Sequence, residues 1–161
     1  MFDVITGPDK EILRTVCKPV EDFDQKLENI VREMEETMLA PHGKDEITGV
    51  GLAAPQVDID ARIILITLHI GDSTEKEKKI LPMINPEILE LSENTVILEE
   101  GCLSLPGIFG KVSRPAKVRA RWQNLQGHWC EKKLGDWDAR IFLHEYDHLE
   151  GILFTDYLKK S

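Results

Sequence analysis

The segment His144-Glu145-Tyr146-Asp147-His148 restricts this chain more than any other stretch of it. It lies in Asp136–Glu150, which reads as a long helix with Asp136 as candidate cap and Gly151 just past its end. At 3.6 residues per turn, His144 and His148 share one face, about one turn apart, so both imidazoles can reach one metal ion. Glu145, offset around the helix, can reach a water beside that ion and act as general base. The plainer alternative is two unrelated histidines that happen to lie four apart. Only 5 histidines occur in 161 residues, and two of them flank a glutamate here, which weighs against that alternative.

Two histidines do not complete a catalytic site, which needs three protein ligands and an open position. A further histidine six residues beyond His148 would complete one known pattern, but Phe154 stands there. Glu150 lies on another face of the helix. The third ligand therefore comes from upstream, where the candidates are Cys102, Cys17, Cys130, His42, His69, His128 and the acids. Cys102 is favoured by its context, Glu100-Gly101-Cys102-Leu103-Ser104-Leu105-Pro106, in which a glycine and a proline bend the chain and can present a thiolate. A buried free cysteine is the competing reading of the same residue.

The formal net charge of -9 argues against a nucleic-acid or anionic-membrane surface. The local basic run Lys111, Arg114, Lys117, Arg119 and Arg121 reads as a solvated strand edge. No secretory signal opens the chain, and its longest apolar run, Ile63–Ile70, is too short to span a bilayer. The 3 widely spaced cysteines suggest reduced thiols and a cytoplasmic setting.

Helical periodicity predicts a first helix over Asp22–Leu39, capped by Asp22 or Asp24 and ending before Pro41. Gly49–Gln56 is too glycine-rich for a regular helix and reads as a close-approach backbone segment. Strands are expected at Arg62–Leu68, Leu81–Ile84, Glu87–Leu91, Thr95–Glu99, Lys117–Trp122 and Gly127–Lys133, with a charged loop or insertion at Gly71–Lys79. Strands surrounding two helices without βαβ alternation predict an α+β fold. Antiparallel or mixed sheets would pack around a central metal-binding helix, with an N-terminal helix, in one domain over residues 1–161.

Three segments, in order, resemble the peptide deformylase family: Gly49-Val50-Gly51-Leu52-Ala53-Ala54-Pro55-Gln56, Glu100-Gly101-Cys102-Leu103-Ser104, and His144-Glu145-Tyr146-Asp147-His148-Leu149 followed by Glu150-Gly151-Ile152-Leu153-Phe154. The resemblance implies hydrolytic removal of the formyl group from the N-terminal formyl-methionine of newly made polypeptides. It implies Cys102, His144 and His148 as ligands of one divalent metal ion: Fe²⁺, with Ni²⁺, Co²⁺ or Zn²⁺ as alternatives. Metal-bound hydroxide would attack, with Glu145 as general acid and base. The Gln56 side-chain amide and the Leu103 backbone N–H would stabilise the oxyanion, Gly51 would wall the formyl group, and Val50 would help shape the methionine pocket. Read alone, Val50 is a core residue, Glu100 a structural partner for an arginine such as Arg114, and Asp147 a group that fixes a histidine or caps a loop.

Two positions depart from the family pattern. Leu143 replaces a glutamine found in many members, and Arg140 lies near the expected methionine pocket, where its stem would pack with the charge outside. The chain ends at Ser161, short of the C-terminal helix with which many bacterial relatives dock on the ribosome. This puts direct ribosome association in doubt and leaves substrate encounter by diffusion open. A metallopeptidase, or a structural-metal module with Cys17 or Cys130 as fourth ligand, are the competing functions.

Overall fold

The computed structural model describes residues 1–70 and 77–158. Among the described residues there are seven strands: β1 (Gly51–Ala53), β2 (Ile63–Ile70), β3 (Glu77–Leu91), β4 (Thr95–Cys102), β5 (Leu105–Pro115), β6 (Lys117–Gln123) and β7 (Trp129–Gly135). Three helices accompany them: α1 (Gln25–Leu39), α2 (Asp136–Leu149) and the short α3 (Thr155–Leu158). The strands form one sheet in the order β1-β2-β3-β6-β7 and a separate ribbon β4-β5. Every pairing is antiparallel. The α+β expectation holds.

Alternation along β2 explains the layering. Ile64, Ile66 and Leu68 face α2 with Met83, Ala120, Trp122, Phe142 and Leu149, while Ile63 and Leu65 face α1 with Leu27, Val31, Met34 and Met38. Residues of period two on a sheet buried on both sides read as a continuous apolar run, as Ile63–Ile66 does. α1 starts on Asp24, whose side chain accepts from the Leu27 N–H at 3.0 Å.

Several boundaries differ from expectation. The two strands expected at Leu81–Ile84 and Glu87–Leu91 are one strand, because Asn85 (φ 50°) and Pro86 fall in a bulge between Ile84 and Glu87. Of the expected loop Gly71–Lys79, Glu77, Lys78 and Lys79 pair with β2, and residues 71–76 lie outside the described residues, as does Ser161. β5 was not anticipated: three glycines and prolines in its first half mask an alternation that emerges only once it pairs with β4. Asp136 does not cap α2. It adopts φ 52°, turning the chain out of β7, and Gly135 occupies the cap position with no side chain to donate or accept.

α2 ends as expected at Gly151 (φ 72°), whose N–H bonds to His148 O while Ile152 N–H bonds to Asp147 O. This paired closure favours glycine at the left-handed position. A Cβ at Gly151 would also come within 2.6 Å of Arg14 O. No helix among the described residues is long and apolar enough to cross a membrane.

Candidate active site

β4 delivers Cys102 at its end, where a bulge between Gly101 and Cys102 breaks the ladder with β5. Bulges of this kind re-aim a side chain, and here the thiol meets the histidine face of α2. The Cys102, His144 and His148 donor atoms lie within 4.8 Å of one another, with Cys102 Sγ 3.5 Å from His148 Nε2. Tetrahedral ligation by one thiolate and one imidazole would set that separation at about 3.6 Å. Neither Cys17 nor Cys130 belongs to the cluster. Cys17 is buried, and burial, with Asp60 adding, pushes its thiol up to about 11.

The donor set fits a cation by its polar partners as well. Glu100 Oε1 lies 2.8 Å from His144 Nδ1, which directs the lone pair of Nε2 toward Cys102 and His148. Burial depresses the His144 pKa, yet Glu145, Cys102 and Glu100 together raise it to about 10. The same anions would favour a metal ion at that position. His148 is held well below its ordinary value by burial and by His144, so its ring is neutral and could hold a cation.

Glu145 is buried beside the cluster, and its Oε1 has no hydrogen-bond partner among the described residues. Burial pushes its carboxyl up to about 7. A Cβ at Gly51 would lie 2.6 Å from Glu145 Oε2, so the missing side chain at Gly51 makes room for the carboxylate. Gln56, in a single helical turn after β1, is also buried. Its Oε1 accepts from Ala53 N–H at 2.9 Å, which orients its Nε2 toward Cys102 Sγ (3.4 Å) and Ser104 Oγ (3.1 Å). Leu103 follows Cys102 directly and packs against Gly49.

Gly51, Cys102, His144 and Glu145 line a cavity of about 620 Å³ whose walls include Ile47, Val50, Leu103, Phe109, Trp137 and Ile141. Val50 is half exposed there, so it belongs to the cavity and not to the core. Leu143 is buried against the sheet in the main core, where an amide would need a partner.

Behind the histidines lies a buried charge network. Glu100 accepts from Arg114 Nε (2.5 Å) and Nη2 (2.9 Å) and from Arg140 Nη1 (2.6 Å). Burial works against its ionised form, but Arg114 and His144 hold its pKa at about 2. Three expectations change here. Arg114 is buried rather than on a solvated edge, because Glu100 and Asp147 balance its charge. Arg140 keeps its guanidinium inside rather than outside, bonded to Glu100 and to two backbone carbonyls. Asp147 accepts from Arg114 and from the Tyr157 hydroxyl (2.7 Å), so it fixes an arginine and not a histidine. Sequence reasoning assigned no role to Ser104, which holds the Gln56 amide; its place two residues after Cys102 was the available signal.

An HExxH helix facing a strand-borne thiol at the foot of an apolar cavity defines the class as HExxH hydrolases. The polypeptide deformylase profile matches residues 1–161. The peptide deformylase of Bartonella tribocorum is 43% identical over 160 residues, covering 99% of this chain and 85% of that protein. That of Thermotoga neapolitana is 43% identical over 150 residues, covering 93% and 83%. The crystal structure of Thermotoga maritima peptide deformylase superposes with a TM-score of 0.83 at 39% identity, covering 98% of this chain and 97% of that one. The Met-Ala-Ser-bound class I type b enzyme of Acinetobacter baumannii gives 0.84 at 35% identity, covering 97% of each chain. The chain belongs to the polypeptide deformylase family. It is a hydrolase, and its reaction is removal of the formyl group from nascent polypeptides.

Proposed function

We propose that residues 1–161 act as one catalytic domain in which Cys102, His144 and His148 hold a divalent ion against α2, the central metal-binding helix. The ion is Fe²⁺, with Ni²⁺, Co²⁺ and Zn²⁺ as substitutes, since thiolate and imidazole suit all four. The observation that carries the reading is the convergence of three donors with an unpartnered Glu145 oxygen at the floor of an apolar cavity. The Met-Ala-Ser peptide bound by the Acinetobacter relative supports a substrate that begins with methionine.

When bound, the ion would polarise the formyl carbonyl and acidify the attacking water. Glu145 takes the proton from that water at its free Oε1 and passes it to the leaving amine nitrogen. A carboxyl near 7 suits both steps at neutral pH. One Gln56 N–H, now directed at Cys102 Sγ, donates to the oxyanion together with the Leu103 backbone N–H. Gly51 keeps the approach to Glu145 open, and Val50, Trp137 and Ile141 enclose the methionine side chain and exclude water. The setting is cytosolic, and the substrates are formylated nascent polypeptides.

The test is formate release from a formyl-Met peptide by protein purified without oxygen and loaded with Fe²⁺. Release that disappears in Glu145→Gln, with metal retained, supports the mechanism. Equal release by wild type and Glu145→Gln would sink it. Intact internal bonds in casein would separate this activity from a metallopeptidase.

A further inference from the structure

We propose that Arg140 is a positioning residue that locks the thiol-bearing ribbon against the histidine-bearing helix, working crosswise with Arg114. The inference rests on Cys102, His144 and His148 being the metal ligands. Those donors come from two separate elements: Cys102 ends β4, and both histidines belong to α2. Their separation depends on how ribbon and helix are held together.

Two buried arginines make that connection in opposite directions. Arg114 leaves β5 for Asp147 of α2 (2.9 Å) and for Glu100 of β4. Arg140 leaves α2 for Glu100 Oε2 (2.6 Å) and Val96 O (2.7 Å) on β4, and for Val112 O (2.9 Å) on β5. Each is 4% exposed. Their two charges are matched by the carboxylates of Glu100 and Asp147. A planar guanidinium holds several acceptors at fixed angles, which an ammonium does not.

The location of Arg140 makes the assignment specific. It lies one turn before His144 on the cavity-lining face of α2, with Trp137 and Ile141. An apolar side chain would serve that wall as well as the arginine stem does. Only the head group reaches both strands and Glu100, and Glu100 in turn holds His144 Nδ1. Shortening or neutralising Arg140 takes a donor from the buried Val112 carbonyl, from the part-buried Val96 carbonyl and from Glu100 Oε2, which keeps only Arg114 Nε, and loosens β4 upstream of Cys102.

The experiment compares Co²⁺-loaded wild type, Arg140→Met, Arg140→Lys and Glu145→Gln. Co²⁺ loss to excess chelator, the visible cobalt–thiolate spectrum, and kcat and KM on a formyl-Met peptide are measured. Arg140→Met should lose Co²⁺ about tenfold faster, as groups that orient metal ligands do when removed. Its thiolate band should shift, and kcat should fall more than KM changes. Arg140→Lys should fall between, because it keeps the charge facing Glu100 but cannot bridge both strands. Glu145→Gln should retain wild-type cobalt release and spectrum. Wild-type release and spectrum in the Arg140 variants overturn the clamp, whatever their urea midpoints do. If Arg140→Met does not fold, Arg140→Lys decides alone: wild-type behaviour overturns the proposal. A wild-type protein that shows the cobalt–thiolate band but releases no formate would refute the function reading and leave the cobalt comparison intact.

Discussion

Replacing Glu100 with Gln removes one charge and keeps the shape of the side chain, so its effect isolates the electrostatics of the buried network. Glu100 accepts two bonds from Arg114, one from Arg140 and one from His144. After the change Arg114 still has Asp147, whereas Arg140 loses the one anion it meets among the described residues and keeps two carbonyls. Breaking one side of a buried ion pair costs about 3–5 kcal/mol. For a chain of this length that corresponds to a fall in Tm of roughly 6–20 °C. The wild-type carboxyl sits at about 2 against an ordinary 4.5. Its contribution is therefore complete above 4.5 and disappears as pH falls through 2. The gap between wild type and Glu100→Gln should be widest at neutral pH and shrink steadily below 4.5. Urea and thermal unfolding of the metal-free proteins at pH 7 and pH 3 measure both quantities. A loss under about 1 kcal/mol at pH 7 would mean that solvent or relaxation already satisfies the arginines. A gap that stays constant from pH 7 to pH 3 would show that ionisation of Glu100 is not its source.

Gly51→Ala should lower kcat roughly 100-fold with metal retained, because its Cβ would displace the Glu145 carboxylate; stopped-flow formate release and metal analysis check it. Cys17 should resist iodoacetamide at pH 8 while half-exposed Cys130 reacts, since a thiol at about 11 is almost wholly protonated there; peptide mass spectrometry reads the sites. Chelation should abolish turnover but leave the near-ultraviolet circular dichroism of the sheet intact, because the two large cores on its faces contain neither Cys102 nor His144 nor His148. Collapse of that signal on chelation would make the ion structural.

What could be read from the sequence followed from spacing within single elements. The histidines of α2 share a face because helix geometry requires it, and the ends of α1 and α2 follow from Asp24 and Gly151. The third donor was a matter of context, since nothing local links Cys102 to His144, 42 residues later in the chain; the ribbon's pairing brings it there. Burial of charge was the least legible feature. Arg114 and Arg140 are written in a sequence as solvated cations, and β5 lacks a clear apolar alternation. Only a carboxylate supplied by another strand makes their burial tolerable. Glu100 was expected to meet Arg114, but that it would also meet Arg140 and His144 depends on three elements converging at once. The residues that would bind the ion therefore announce themselves by motif, while the residues that hold the binding geometry do so only through tertiary contacts. For that reason the arginine clamp, rather than the HExxH motif, is where substitution can separate what positions the site from what performs its chemistry.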